Sequence, residues 1–467
     1  MKKIIFRVLI TGVSVVFLTS CVGRKSYERP ELVDEKLFRT ENISNDSLSS
    51  ANVSWREIFT DEILQGYIDK ALQNNLDIRV ALQNIVSAEA YVTQAKQLYL
   101  PTLSISANYT KSTMSQNTQI GAIIGQRRYI DQWELAGNLS WEVDVWGKLS
   151  ARNKATYASL LSTVVTHQAV KSEVVSSVAI AYYQLLMYDK QQKILEETVV
   201  LRQKGWETAK ALKESGITTE IAVQQYEALL YNAKAQLITI QNLIWSLENS
   251  IAVLLGETPD AIARTSLEVQ QFPKNFNQGY ALYLLENRPD VMRAEQQLIH
   301  AFELTNVAKA AFYPSLTLTA RGGFTAMDIE KWFSPQSFFA NIIGGLVQPI
   351  LNQKQIKTQY KVSQANQEIA LLNFKKTLLL AGKEVSDAMQ NFSSQDAFIQ
   401  LKIKEMEAYQ KATAYSIELF DNGMASYLEV VAAEVNRLNA ELSVANAQFV
   451  RMQYGVTLYK ALGGGWR

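Results

Sequence analysis

The chain contains a tandem duplication, and no other feature of the sequence restricts its possible folds so strongly. Pro101 and Pro314 close similar segments 213 residues apart, and the residues upstream of them align at the same spacing without a gap. Further along, the halves align at a spacing of 207 residues. Each half is therefore predicted to form one copy of the same structural repeat. The aligned pairs are Asp77 with Asp290, Ala81 with Ala294, Gln83 with Gln296, Ala95 with Ala308, Ser215-Gly216 with Asn422-Gly423, and residues 254–256 with residues 461–463.

Long helices are predicted in both repeats. All eight prolines punctuate the repeat, whereas residues 150–258 and 350–467 contain none and are rich in Ala, Leu, Gln, Glu and Lys. A helix over residues 149–212 would be about 96 Å long at 1.5 Å per residue, which is far more than a globular domain needs. We expect it to pack, as in a coiled coil, against an antiparallel helix that follows a turn at Gly216, and Gly423 marks the equivalent turn.

Two short stretches in each repeat have the period of β-strands. Apolar and polar residues alternate from Leu103 and from Trp133, and again from Leu316, whereas residues 338–347 are apolar on both faces. Strands of about ten residues with one apolar face suit a transmembrane barrel, and a soluble half-buried hairpin is the alternative. Aromatic residues near the strand ends could form interfacial girdles: Tyr109, Tyr129, Trp133, Trp146, Trp332 and Phe333.

The first twenty residues have the pattern of a signal peptide. Lys2, Lys3 and Arg7 precede a short apolar run that ends just before Cys21, the only cysteine, and this resembles a bacterial lipobox that would place a covalent lipid on Cys21. A buried thiol of an uncleaved anchor is the alternative. No later apolar run approaches eighteen residues, so we expect no helix of the mature chain to span a membrane.

These features predict six consecutive segments. They are a signal peptide (1–20), a lipidated leader (21–61), a first repeat (62–258) with a strand hairpin at about 102–146 and a turn near 216, a linker (259–280), a second repeat (281–462) with a strand hairpin at about 315–348 and a turn near 423, and a tail (463–467).

Four strands cannot close a barrel in lipid, because an open sheet edge leaves backbone groups unpaired in hydrocarbon. Two chains would give eight strands and a filled interior, whereas three chains would give twelve strands around a wide lumen. The fold class predicted is therefore mainly α, with four membrane strands per chain and a twelve-stranded barrel in a homotrimer.

Little in the sequence favours an enzyme or a nucleic-acid partner. His167 and His300 stand alone in helical tracts, and there is no phosphate-binding loop, nucleophile elbow or dinucleotide fingerprint. Basic and acidic residues number 46 and 45, without a clustered basic face. Glu142 and Asp144 share a strand face and are read as acids facing the lumen. We expect no cofactor apart from the lipid on Cys21.

The sequence resembles the TolC-like outer membrane factor family, in particular its lipoprotein branch associated with resistance-nodulation-division efflux pumps. The resemblance rests on the paired repeats, the lipobox, the segment WEVDVWGK at residues 141–148 and the segment NRPDV at residues 287–291. It implies a trimer whose barrel lies in the outer membrane, a long helical barrel in the periplasm, and an equatorial collar formed by residues 22–61, residues 259–280 and the tail.

The resemblance also implies where partners and a gate would lie. The family's helical turns dock a periplasmic adaptor (a membrane fusion protein) that joins an inner-membrane transporter, and its inner helices close the periplasmic end with an acidic ring. Glu429 matches the first acid of that ring, whereas Ala432 departs from the second, and Glu429 could equally be a solvated helix residue. The docking turns would be formed by Ser215, Gly216, Ile217 and Thr218, and by Asn422, Gly423, Met424 and Ala425.

The function expected is therefore that of the outer-membrane exit duct of a tripartite efflux system, conducting small molecules passively and gated at its helical tip. The alternative is a lipid-anchored periplasmic adaptor or coiled-coil scaffold without a pore. An adaptor normally has one helical hairpin, whereas two hairpins and four strands favour the channel. Drug efflux, metal efflux and protein secretion all fit this architecture.

Overall fold

The computed structural model describes residues 26–32, 53–124, 129–272 and 287–467. The described residues form two compact units. The sheet unit comprises the described parts of Met1–Pro30, Val86–Leu161 and Glu295–Asn373, and the helical unit comprises those of Glu31–Ile85, Ser162–Ala294 and Phe374–Arg467. Each unit takes segments from both sequence repeats, so the compact units do not coincide with the six consecutive segments predicted.

The secondary structure repeats as the sequence does. α5 and α8 each have 67 residues, and α6 and α9 each have 35. The helices are α1 (Trp55–Ile58), α2 (Glu62–Asn74), α3 (Leu76–Gln97), α4 (Gln119–Ile124), α5 (Lys148–Glu214), α6 (Glu220–Leu254), α7 (Pro289–Ala310), α8 (Gln355–Asp421) and α9 (Tyr427–Ala461), and the strands are β1 (Thr102–Thr113), β2 (Tyr129–Val143), β3 (Ser315–Ala326) and β4 (Phe338–Val347).

The four strands form one antiparallel sheet in the order β1-β2-β3-β4, so β1 and β4 are its edges. The register places Leu103 opposite Leu139, and Leu139 opposite Ala320. On β3, Ala320 lies opposite Ile342 of β4. One continuous apolar face therefore crosses all four strands. β4 follows the same alternation, and its other face adds the apolar residues Phe339, Ile343 and Val347.

Aromatic side chains gather at both ends of the sheet. At one end the ring of Trp133 lies 4.4 Å from that of Tyr109 and 5.7 Å from that of Trp332. At the other end Trp146 stacks on Tyr313 at 5.0 Å, and its indole N–H donates to the Pro314 carbonyl at 2.7 Å. This arrangement is what interfacial aromatic girdles require, with an apolar ring body and a polar atom that is hydrogen-bonded.

The helical unit is held together by contacts between residues far apart in sequence. Its core includes Phe59, whose ring lies 6.0 Å from that of Phe272 and 6.1 Å from that of Tyr459. The Tyr459 hydroxyl also donates to the carbonyl of Val53, which is 406 positions away. The fully buried Tyr182 and Tyr183 belong to the same unit. Neither repeat alone supplies this core.

Two glycines allow helix ends to lie directly against the backbone at equivalent places in the repeats. Gly256 has φ +71°, and a Cβ added there would lie 2.6 Å from the carbonyl oxygen of Asn74. Gly463 has φ +101°, and its added Cβ would lie 2.5 Å from the carbonyl oxygen of Asn287. Any side chain would force these backbones apart, which explains the glycine in both copies of this repeat segment.

One helix, α6, is long and apolar enough to cross a membrane by length and composition, and it is the only such helix in the described ranges. This criterion rests on length and composition alone, so the expectation that no helix of the mature chain spans a membrane stays a prediction. That expectation relied on uninterrupted apolar runs, whereas the charges of α6, such as Lys234 and Glu248, are spaced widely enough to leave an apolar window. The core helix of a soluble protein meets the same criterion, and the packing of α6 against α5 is described below.

The two repeats differ in strain where the sheet leads into the long helices. Before α5, Gly147 has φ +72°, whereas the equivalent position before α8 is Lys354, with φ +64°, preceded by Gln353 with φ +56°. An L-amino acid in this region costs about 1–2 kcal/mol relative to its ordinary conformation, and glycine avoids that cost. The second repeat therefore stores strain that the first repeat avoids.

We predict that Lys354→Gly stabilises the protein by up to about 1 kcal/mol, because the relief of strain exceeds the backbone entropy that glycine loses on folding. The reciprocal change Gly147→Lys should destabilise it by a similar amount. Thermal unfolding of the detergent-purified protein measures both. Equal melting temperatures for the two variants would contradict the assignment of strain.

Candidate functional site: helical turns, sheet face and ion pairs

The turns that join the long helices have the same geometry in both repeats. Gly216 has φ +75°, and its N–H donates to the Lys213 carbonyl at 2.9 Å while the Ile217 N–H donates to the Leu212 carbonyl at 2.9 Å. Gly423 has φ +70° and makes the same pair of bonds. This is the Schellman motif, in which a helix ends at a residue with a left-handed backbone conformation.

Each turn presents one apolar side chain to solvent. Ile217 is 71% exposed and Met424 is 70% exposed, and they occupy equivalent positions after the two glycines. Polar residues and an ion pair between Lys213 and Glu220 surround the first turn. Hydrogen bonds from Lys213 and Gln224 lower the pKa of Glu220, so that its carboxylate stays charged. The proposed docking residues therefore form two matching, solvent-exposed tips.

Glu429 lies in the first turn of α9, directly after the second tip. Its carboxylate accepts a hydrogen bond from the Ser426 N–H at 2.7 Å and from the Ser426 hydroxyl at 3.2 Å. This is the carboxylate half of a capping box, which stabilises a helix start and favours an acid at that position. The geometry thus gives Glu429 a structural role that the sequence comparison with an acidic ring did not anticipate.

Glu142 and Asp144 lie where β2 gives way to α5, and both contact that helix. Asp144 accepts hydrogen bonds from the backbone N–H groups of Leu149 at 3.0 Å and Ser150 at 2.9 Å, and so caps α5. Glu142 pairs with Lys148 at 2.9 Å. The strand alternation in the sequence did not reveal this capping role.

The polar face of the sheet carries a charged contact that sequence reasoning missed. Arg321 on β3 donates to Glu134 on β2 at 2.5 Å, and its guanidinium lies 5.7 Å from the ring centre of Phe339 on β4. Beside it, the side-chain amide of Asn138 donates to the Ser106 hydroxyl at 3.2 Å. One face of the sheet is therefore polar, and the opposite face is apolar, as a strand between lipid and an aqueous lumen requires.

Arg288 is the most connected buried charge of the helical unit. It donates to Asp290 at 3.0 and 2.7 Å, to Glu384 on α8 at 2.6 Å, and to the Ala461 carbonyl at the end of α9 at 2.8 Å. Burial raises the pKa of Asp290, but the hydrogen bonds and charge of Arg288 outweigh it, and the pKa lies below its ordinary value. Arg288 therefore fixes the start of α7 to two long helices.

Two further polar groups hold the segment that follows α6. Arg264 forms a bidentate pair with Asp189 at 2.6 and 2.8 Å and also contacts Glu248. Asp61 accepts hydrogen bonds from Tyr182, Thr265 and Gln270 at 2.9, 2.5 and 2.7 Å. Burial raises the pKa of Asp61, but the hydrogen bonds from these three donors lower it by more. The pKa therefore lies below its ordinary value, and the carboxylate stays charged. The sequence pattern predicted no role for these residues.

His167 and His300 each lie in ordinary helical surroundings. The ring Nδ1 of His300 lies 2.8 Å from the Ala155 carbonyl, and burial together with Lys171 lowers the pKa of His167. Within the described ranges no group of three or more His, Cys, Asp or Glu residues is arranged to hold a metal ion. Cys21 and most of the leader lie outside the described residues, as do residues 273–286.

These features together define a class of protein: a four-stranded sheet with one apolar and one polar face, joined to duplicated helical hairpins. The Outer membrane efflux protein family matches residues 67–257 and 283–464. The chain belongs to this family, whose members are channels of the outer membrane.

Individual relatives match along nearly the whole chain. The Cation efflux system protein CusC of Escherichia coli K12 is 26% identical over 455 residues, covering 96% of this chain and 97% of CusC. The Probable outer membrane lipoprotein SilC of Salmonella typhimurium is 24% identical, with 99% of both chains covered. Among solved structures, CusC superposes with a TM-score of 0.81 at 25% identity, covering 94% of this chain and 99% of CusC. The open-state channel MtrE of Neisseria gonorrhoeae shares the fold, with a TM-score of 0.82 at 23% identity, covering 95% of this chain and 98% of MtrE.

We predict that Arg288→Met destabilises the protein by about 1–3 kcal/mol, because it removes the hydrogen bonds of buried Arg288 to the Ala461 carbonyl and to the partly exposed Asp290. The same substitution at exposed Arg293, in the helix that Arg288 precedes, is the control, and it should change stability by less than about 0.5 kcal/mol. Because the pKa of Asp290 is lowered in the folded protein, its contribution is present above the carboxyl's unfolded pKa and is lost as pH falls through the lowered value. Unfolding measured across acidic pH should show this loss in wild type but not in Arg288→Met.

Proposed function

We propose that three copies of this chain close a twelve-stranded barrel in the outer membrane and form the gated exit duct of a tripartite efflux system. The observation that supports this most directly is the sheet, which has one continuous apolar face and two free edges, β1 and β4. Backbone groups at a free edge in hydrocarbon must be paired, and pairing β4 of one chain with β1 of the next satisfies both edges. Three chains give a lumen, whereas two give a filled barrel.

The long helical hairpins would extend the duct into the periplasm, and their tips would dock an adaptor. Ile217 and Met424 offer that adaptor two apolar contacts per chain, held on rigid Schellman turns. Pre-formed turns lose little conformational entropy when they bind. An inner-membrane transporter of the resistance-nodulation-division type would complete the assembly and supply the energy.

The chain would carry out no chemistry, and passage through its lumen would be passive. CusC is named for cation efflux, and SrpC of Pseudomonas putida for a solvent efflux pump, although both match this chain along most of its length. The same outer-membrane architecture therefore accompanies different cargoes in its relatives. We propose that cargo selection lies with the partner pump and that opening requires only a shift between two helix packings.

Cys21 would carry the covalent lipid that anchors the leader near the outer membrane. Two contacts place that leader in the sheet unit, since Arg29 forms a bidentate pair with Glu295 at 2.6 and 2.9 Å and the ring of Tyr27 meets that of Phe302 at 5.8 Å. Lipid and barrel would then act together. A lipid-anchored scaffold without a pore, the second candidate, would depend on the lipid alone.

We predict that deletion of residues 422–425 raises single-channel conductance in planar bilayers, because it removes the Schellman turn that holds α8 against α9. Wild type should show a small, mostly closed conductance. Gly66→Ala, in α2, is the control, since an added Cβ there meets nothing within 4 Å. Well-folded trimers that never conduct, with or without the deletion, would exclude a channel.

We predict that Cys21→Ser abolishes incorporation of labelled palmitate but leaves the protein in the outer membrane and insoluble without detergent, because the apolar sheet face still inserts. Membrane fractionation with and without detergent measures this. Release of Cys21→Ser as a soluble periplasmic protein would instead support the scaffold.

A further inference from the structure

A buried group of charged residues lies between the two hairpins near their tips. The surrounding apolar contact is formed by three helices: Ala209 of α5, Val223 and Tyr226 of α6, and residues of α9. Trp206, Tyr427 and Val431 pack against this cluster. It joins the first repeat's hairpin to α9 of the second repeat, and any rearrangement of α9 at the tip must loosen it.

Glu434 of α9 lies at this contact and is only 8% exposed. Its Oε2 atom is buried and has no hydrogen-bond partner within the described part of the chain. The same holds for the Nε atom of Arg437 and the indole N–H of Trp206. A buried carboxylate oxygen without a donor is unfavourable when it is charged, so the protonated carboxyl fits this packing better than the carboxylate.

The charges that face Glu434 come from two helices and do not close an ion pair with it. Arg202 of α5 is 3% exposed and donates to the Leu229 carbonyl at 2.8 Å, while Arg437 pairs with Glu441 of its own helix at 3.5 Å. Tyr226 faces it from α6. On α8, the charged residues before the turn include Lys411 and Glu418, and both are exposed to solvent. Burial raises the pKa of Glu434, and the attraction of Arg202 and Arg437 offsets this only in part.

The duplication supplies an internal comparison for this group. At the spacing of 207 residues, Glu434 corresponds to Glu227, Arg437 to Leu230, and Arg202 to Tyr409. Glu227 is only partly buried and Leu230 is an apolar core residue. The equivalent place in the other repeat pairing therefore lacks the two arginines, and the charged group is specific to the contact between the first hairpin and α9.

We propose that Glu434 is a charge-dependent latch, which holds α9 against the first hairpin when its carboxyl is protonated and weakens that contact when it ionises. The inference rests on the proposed gating at the helical tips and adds the group that regulates it. In a loosened tip the carboxylate reaches water or pairs with Arg202, so ionisation favours opening. Because the neutral form is preferred in the closed packing, the closed tip is favoured at low pH and loses this advantage as pH rises.

Hydrogen–deuterium exchange of residues 427–438 tests the latch in detergent-purified protein, without any need for conductance. Glu434→Gln mimics the protonated carboxyl, so at pH 7.5 its exchange should be slower than that of wild type, by about tenfold for each unit by which burial raises the pKa. At pH 5 the difference should be smaller, because a larger fraction of the wild-type carboxyl is then protonated. Glu227→Gln, the equivalent change in the first repeat, is the control and should match wild type at both values.

A second variant tests the mechanism independently. Arg202→Gln removes a positive charge near Glu434 while keeping a side-chain donor for the Leu229 carbonyl, and it should move the pH at which wild-type exchange accelerates to a higher value. Equal exchange of Glu434→Gln and wild type at pH 7.5, or a difference that persists unchanged at pH 5, would overturn the latch. If the protein fails this exchange test but still conducts in bilayers, only the proposed latch is excluded. If it does not conduct, the proposed channel function is excluded as well.

Discussion

The two free edges of the sheet are the constraint on which the rest of the structure depends. A chain that contributes only four strands with an apolar face has unpaired backbone groups at β1 and β4, and lipid offers no partner for them. Pairing with further copies is the direct solution. The strands β2 and β4 are each followed by a helix of the same length, α5 and α8, so equivalent helices continue the chain after each pair of strands.

The duplication gives the chain two copies of the same structural repeat, but the two copies are not identical. The long helices, their turns and the glycines that meet Asn74 and Asn287 occupy equivalent positions in the two repeats. The two copies differ at particular positions that affect backbone strain and charge. Lys354 replaces a glycine at a strained position, and Arg437 with Arg202 places charge where the other copy has Leu230 and Tyr409. The two repeats therefore share their long helices, whereas the charged contact at Glu434 occurs in only one of the two repeat pairings.

Much of the fold follows from sequence, because its signals are local or periodic. The spacing of the prolines and glycines predicted the helices and both tips, and alternation predicted three strands. β4 was harder, since Phe339 and Ile343 put apolar residues on its polar face and obscured the period. The roles of Glu429 and Asp144 were missed because one carboxylate suits a pore, a cap or a solvated surface equally, and only the positions of neighbouring N–H groups separate these. Arg202 and Glu434 carry no sequence signal, since their proximity arises from packing between helices distant in the chain.

The contact of Tyr459 with Val53 has a consequence for how the protein reaches its membrane. A core assembled from residues separated by 406 positions cannot form while only the first repeat is available, and such non-local contacts make folding slow. A polypeptide that must cross the inner membrane unfolded benefits from this delay. Because the core needs residues from both repeats, the chain would remain unfolded until both repeats have been translocated.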